Sequence, residues 1–287
     1  MPDENQRKPL TQYIIRRLLI DLEQPFARHW NGGDAFRSAF FNALSMSFPV
    51  GEQFFIDAIR VGVKTLPAEQ QQRFAVEVKG FIGQEATHRR IHSLFNQQLL
   101  DQGYRNRWEP RIVKRNEGLA GMDPRHPVAI TAAIEHFTTI LAEHLLRYPQ
   151  ALAGAEPRLQ TLWLWHASEE SEHRSTAIDV YRAMHGGERW RRRWMQISTF
   201  YFLTDLARQT TANLYHDRQL LRWSTWKSAA HFLFGQEYGI VRKTFKPWRA
   251  YFRDGFHPTD QVSTHGAQWL ANNTQWLSAV ATTGTDA

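Results

Sequence analysis

Apolar residues recur along this chain at three- and four-residue intervals, and runs of strict alternation are scarce. The pattern predicts helix after helix. Asn31-Gly32-Gly33 ends an N-terminal extension, and a first helix follows from about Asp34 to Lys64, kinked or restarted at Pro49. Pro67 stands where a first helical residue would, with Glu69 in the first turn, and opens a second helix running to about Gln102-Gly103. Residues 104–123 read as a loop. Asp123-Pro124 opens a third helix ending near Tyr148-Pro149, and Glu156-Pro157 opens a fourth that stops at His185-Gly186-Gly187. Two or more helices follow, over about 188–222 and 224–245, before a tail broken by Pro247, Gly255 and Pro258 whose end is expected to be loosely ordered.

The expected architecture is all-α: an extension (1–33), a four-helix bundle (34–187) with one longer crossover, helices packing on it (188–250) and an irregular tail (251–287). That order of helices suits the ferritin-like arrangement.

Polar exceptions on the apolar stripes carry the chemistry. Each residue turns about 100° round a helix axis and rises about 1.5 Å, so the faces can be computed. On the second helix, Glu85 and His88 share a stripe with Val78, Phe81, Ile82 and Phe95. On the fourth, His166, Glu170 and His173 fall within an arc of about 60°, in line with Leu159, Leu162, Trp163, Ala177, Val180 and Met184. Glu169 and Glu172 are expected to point outward. Glu52 sits on the first helix among Phe48, Phe55, Ile56 and Ile59, where a lone carboxylate is costly unless paired or metal-bound.

The third helix offers Glu135 or Glu143. Glu135 lies among Thr131, Ala132, Thr138, Thr139 and Ala142, small side chains that leave room for an ion. Glu143 has Arg147 one turn on as an ion-pair partner. Glu135 is therefore the preferred ligand and Glu143 a surface or supporting residue. His92, on the same face as Glu85 but further along, is expected to line the cavity or support a ligand. Asp205 and Asp179 are candidate partners for the second nitrogens of ligand histidines, though surface or capping roles suit them better. One E-x-x-H pair means little. Two pairs and two lone glutamates, all on apolar stripes, point to a two-metal centre in a bundle core. Four carboxylates would balance two divalent ions in a medium that tolerates no unpaired charge.

Composition narrows the metal. With no cysteine, thiolate sites, iron–sulfur clusters and disulfides are excluded. Nitrogen and oxygen donors suit iron, with manganese as the other choice. The net charge is +7, part of it in Arg189, Arg191, Arg192 and Arg193 and in Arg242, Lys243, Lys246 and Arg249. No nucleic-acid signature or P-loop accompanies it, so these clusters read as a solvated basic face. The N-terminus has no signal-peptide pattern, and the most apolar late run, Trp194 to Leu206, is too short to span a bilayer. A cytoplasmic protein is expected. The helix after residue 188 could touch a membrane surface or form a homodimer face, but a buried amphipathic helix is the plainer reading.

These residues resemble the ferritin-like di-iron carboxylate superfamily, whose order Glu, E-x-x-H, Glu, E-x-x-H is met by Glu52, Glu85/His88, Glu135 and Glu170/His173. The added His166 makes an H-x-x-x-E-x-x-H run similar to that of arylamine N-oxygenases. Across about residues 35–250 the chain resembles a bacterial family of predicted metal-dependent hydrolases, through FFNALSMSFPVGEQFF, FIGQEATHRRIH, IEHFT and WHASEESEHRSTAIDVY. The resemblance implies this fold and these ligands.

Three functions compete. The favoured expectation is an O2-activating oxidase or oxygenase acting on a small organic substrate, with an external electron donor. The alternative is a hydrolase using the same two metals, with Glu143 or His92 as general base. A non-catalytic metal-binding bundle is the third, made less attractive by the helices after residue 188.

Overall fold

The computed structural model describes residues 13–260 and 263–280. Among these the chain is all-α apart from one two-stranded antiparallel ribbon, formed by β1 (Arg16–Leu18) and β2 (Leu277–Ala279). Helix α1 (Ala35–Lys64) starts at Asp34, whose carboxylate accepts from the backbone N–H of Arg37 at 2.9 Å. It runs unbroken through Pro49, so the expected restart there does not occur. Helix α2 (Ala68–Asp101) begins just after Pro67. A short helix, α3 (Glu109–Glu117), lies within the segment expected to be a loop. Helix α4 (Arg125–Arg147) follows as expected.

The fourth expected helix is two. Helix α5 (Pro157–Glu170) is capped by the Glu156 carboxylate on the N–H of Leu159, and α6 spans Thr176–Ala183. Residues 171–175 form a break between them. Between residues 188 and 250 lie α7 (Glu188–His216), α8 (Trp223–Phe234) and α9 (Ile240–Ala250). The tail is less irregular than its Pro and Gly content predicts, since it supplies α10 (His265–Asn272) and β2.

Helices α1 and α2 pack on each other, α4 packs on α5 and α6, and α1 meets α4. The last two approach closely at Gly62, where a Cβ would come within 2.7 Å of Val128 Cγ2. Helix α7 lies across α1 and α4, α8 covers α1, and α9 covers α4. The core they enclose is rich in Phe and Trp, as the composition implies.

One surface expectation changes. Arg191, read as part of a solvated basic face, is fully buried; its guanidinium lies over the Tyr251 ring and donates to the carbonyls of Tyr251 and Arg253. From residue 13 the N-terminal extension packs into the fold: Tyr13, Leu18, Leu22, Phe26 and Trp30 are all buried in the main core. Among the described residues no helix is long and apolar enough to cross a membrane.

Candidate metal centre

Helices α1, α2, α4 and α5 bring Glu52, Glu85, His88, Glu135, His166 and Glu170 into one buried region, joined by His173 from the break after α5. Potential ligand atoms of Glu85, His88, Glu170 and His173 all lie within 4.8 Å of one another, as do those of Glu52, His88 and His166. His88 belongs to both groups and stacks on His166 with ring centroids 4.2 Å apart. Glu135 falls in neither group. Its Oε2 sits 3.0 Å from His173 Nδ1, and its Oε1 has no partner.

His173 lies in the break after α5, yet it keeps the inward direction that the helical stripe predicts. The chain leaves the helix at Ser171, and His173 then reaches across so that its Nε2 lies 3.3 Å from Glu85 Oε1. The two glutamates expected to point outward both take part. Glu169 is fully buried, and its Oε2 accepts from His88 Nε2 at 3.0 Å. Its Oε1 accepts from Arg16 at 3.1 Å, and Arg16 holds Glu172 through both terminal nitrogens at 2.8 and 3.0 Å. Gln84 adds a bond to Glu172 at 2.7 Å. Thus β1, from the extension, closes the cluster from the outside.

His166 is held by a second chain of bonds that begins with a proline. Pro49 has no N–H to offer the carbonyl of Ser45 one turn back. That carbonyl instead accepts from Asn96 Nδ2 at 2.8 Å. The orientation of the Asn96 amide is thereby set, and its Oδ1 accepts from the Ser45 hydroxyl, also at 2.8 Å. The hydroxyl proton is used, so His92 Nδ1, 2.8 Å away, must donate to it. Burial, with His166 and His88 alongside, holds the His92 imidazole well below its usual pKa and hence neutral. Its Nε2 therefore accepts from His166 Nδ1 at 2.6 Å. His166 is left with a bare lone pair on Nε2, 3.0 Å from Glu170 Oε1. Two acceptors that face each other at this distance need a proton or a metal ion between them.

The rest of the cluster shows the same want of positive charge. Both oxygens of Glu52 and of Glu85, Oε2 of Glu170, Nδ1 of His88 and Nε2 of His173 are buried without a hydrogen-bond partner. Burial, followed by the neighbouring Glu135 and Glu170, raises the Glu85 carboxyl well above the carboxylate range. Glu52 is raised in the same way, by burial against the opposing pull of His88. Carboxylate and imidazole atoms orphaned together in a dry core are a donor set that could hold metal, and they contain no soft donor.

Of the remaining candidates, His92 stands beside the cluster, hydrogen-bonded to His166, and the others do not join it. Glu143 is half-buried, 3.0 Å from Arg174 Nη2, and lines an outer groove with Lys243 and Lys246. His92 has both nitrogens engaged. His92 thus supports a candidate ligand, one of the roles expected of it, while Glu143 pairs with Arg174. Asp205 is buried beneath Arg111 and Arg115 at 2.9 and 2.6 Å, and Asp179 accepts from His257 at 2.9 Å; neither touches a cluster histidine. Sequence reasoning missed Glu169, Arg16, Ser45 and Asn96. The one local signal was Pro49, a proline inside a helix pattern that frees a carbonyl four residues earlier.

A family description, predicted metal-dependent hydrolase, matches residues 14–261. The chain belongs to that family. Comparison with curated proteins and with solved structures gives no match. Membership corrects the favoured expectation of oxygen chemistry, which rested on His166: the family is described by hydrolysis, and nothing in the comparisons supports an oxygenase or the external electron donor it would need. For the family, the buried cluster supplies what "metal-dependent" requires, a set of Glu and His side chains that could hold metal.

Proposed function

We propose that this protein is a hydrolase that works with two divalent ions, iron or manganese, in a ferritin-like helical core. Glu52, Glu85, His88, His166, Glu170 and His173 are the ligands in this reading, with Glu135 adding its unpartnered Oε1. The observation that carries it is the convergence of buried, unpartnered carboxylate and imidazole atoms in two overlapping groups. Family membership selects hydrolysis from the chemistries such a site could perform.

When bound, a metal pair of this kind acidifies water and polarises the bond to be broken. The side chains prepare the site. With metal bound, Glu169 accepts the one proton left on His88, at Nε2, and Nδ1 faces inward as a lone pair. His92 does the same for His166 through its Nδ1. Phe48, Trp163 and Trp165 pack against the imidazoles and limit the access of bulk water. Proton acceptance falls to an unpartnered carboxylate oxygen of the cluster, since Glu143 and His92 are both committed elsewhere.

The test is metal analysis of purified protein reconstituted separately with Fe(II), Mn(II) and Zn(II), followed by ester and phosphoester assays of each form. About two ions per chain and metal-dependent turnover are expected. Fewer than about one ion per chain would defeat the site. Full loading with no hydrolysis of either class, but with oxygen uptake by the ferrous form, would defeat the hydrolase.

A further inference from the structure

The cluster opens on a narrow space that is almost wholly apolar. It runs from His166 and Glu170 between α1, α4 and α5, and Phe202, Phe232 and Ile240 of α7, α8 and α9 complete its walls. Its volume is about 50 Å³. A single water needs about 10–15 Å³ on the same measure, so the space takes about three to five such groups. Ala142 and Ala167 leave it open where longer side chains would close it. A cavity with this lining stays dry and favours an apolar guest.

Thr138 and His144 in its lining are committed to the carbonyls of Glu135 and Tyr238, and the unpartnered polar atoms belong to residues at the cluster end. Glu170 Oε2 is an unpartnered acceptor, and Trp163, a lining residue, carries an indole N–H with no acceptor. Phe48 packs 4.8 Å from the His166 ring at the same end. The geometry points to a substrate with a linear acyl chain: the chain of about four carbons occupies this slot, and the carbonyl to be attacked sits at His166 and Glu170. The assignment rests on the hydrolase reading for the reaction, but the slot has its own chemistry. It also gives the helices after residue 188 a purpose, since they supply one wall.

Two measurements separate the slot from the reaction. The first is the KM of the manganese-loaded enzyme for p-nitrophenyl acetate, butyrate, hexanoate and decanoate. The second is calorimetric binding of 1-butanol and 1-hexanol to the same protein, with no turnover involved. Each added methylene is expected to lower KM and Kd about fourfold until the slot is full, near four to six carbons, after which the gain stops. Ala142→Leu is expected to abolish the chain-length gain while metal content is kept. Phe232→Ala, remote from the ligands, is expected to move the plateau to longer chains. Ester turnover with KM independent of chain length, and no alcohol binding, would overturn the slot and leave the hydrolase standing. Alcohol binding with the expected length dependence, but no ester turnover, would support the slot and count against the hydrolase.

Discussion

His92 Nε2 lies 2.6 Å from His166 Nδ1, and the direction of that bond is decided by Pro49, which is on another helix. The proline frees the Ser45 carbonyl for Asn96, Asn96 takes the Ser45 proton, and the two histidines fall into one order of protons. An Asn96→Leu variant lets the Ser45 hydroxyl donate to His92 instead. His92 would then donate from Nε2, and the His166 proton would move to the atom that should bind metal. Loss of such an outer partner usually costs about 10–100-fold in metal affinity. Competition titration against a chelator, with helicity checked by circular dichroism, reads the effect. Unchanged affinity in a folded variant would remove the relay from the account.

Glu169 does for His88 what His92 does for His166, but with a charge. Glu169→Gln can still accept from His88 Nε2, yet it weakens both that bond and the ion pair to Arg16. A loss of about tenfold or more in metal affinity is expected. Arg16→Ala should produce a smaller loss in the same direction, because it leaves the Glu169 carboxylate in place. Equal affinities for all three proteins would refute a role for this outer pair.

Removing one ligand carboxylate should have effects of opposite sign on the loaded and the metal-free protein. Glu52 is buried with neither oxygen partnered. Glu52→Gln is expected to raise the Tm of metal-free protein, since it relieves a buried charge or forced protonation. It should lower metal affinity and shrink the rise in Tm on metal addition. Scanning calorimetry with and without Mn(II) separates the two. The double change of Glu85 and Glu170 to Ala goes further and should abolish metal content; retention would sink the ligand assignment.

A pH effect is expected from His136, which is buried and donates from Nε2 to the Pro247 carbonyl at 3.2 Å. Burial pushes its pKa down to about 4, against the opposing pull of that carbonyl. A base depressed in the folded state is protonated first in the unfolded chain as pH falls. Its contribution to stability is therefore full above about 6.5 and is lost towards about 4, a span worth on the order of 3 kcal/mol. His136→Gln keeps a donor and does not titrate. Urea unfolding of both metal-free proteins at pH 7 and pH 4.5 should show the wild type losing more. Parallel losses would exclude His136 as a source.

The periodicity of apolar residues determined the all-α class, the main helices and the stripes on which Glu52, Glu85, His88, Glu135, His166 and Glu170 lie. Those features depend on a helix repeating every 3.6 residues, and each can be read within one segment. The sequence also determined that any metal must be held by nitrogen and oxygen, because there is no cysteine. Glu169 marks the limit of that reading. Its angle on an ideal helix faces outward, but α5 ends at Glu170, and what lies outside it is Arg16 from β1. Only the tertiary structure could decide this, since the partner is more than a hundred residues away and a helical wheel contains no neighbours. The same holds for the slot, whose walls come from six helices, and for the proton order at His166. Each depends on distances between segments, which packing sets and local pattern does not encode.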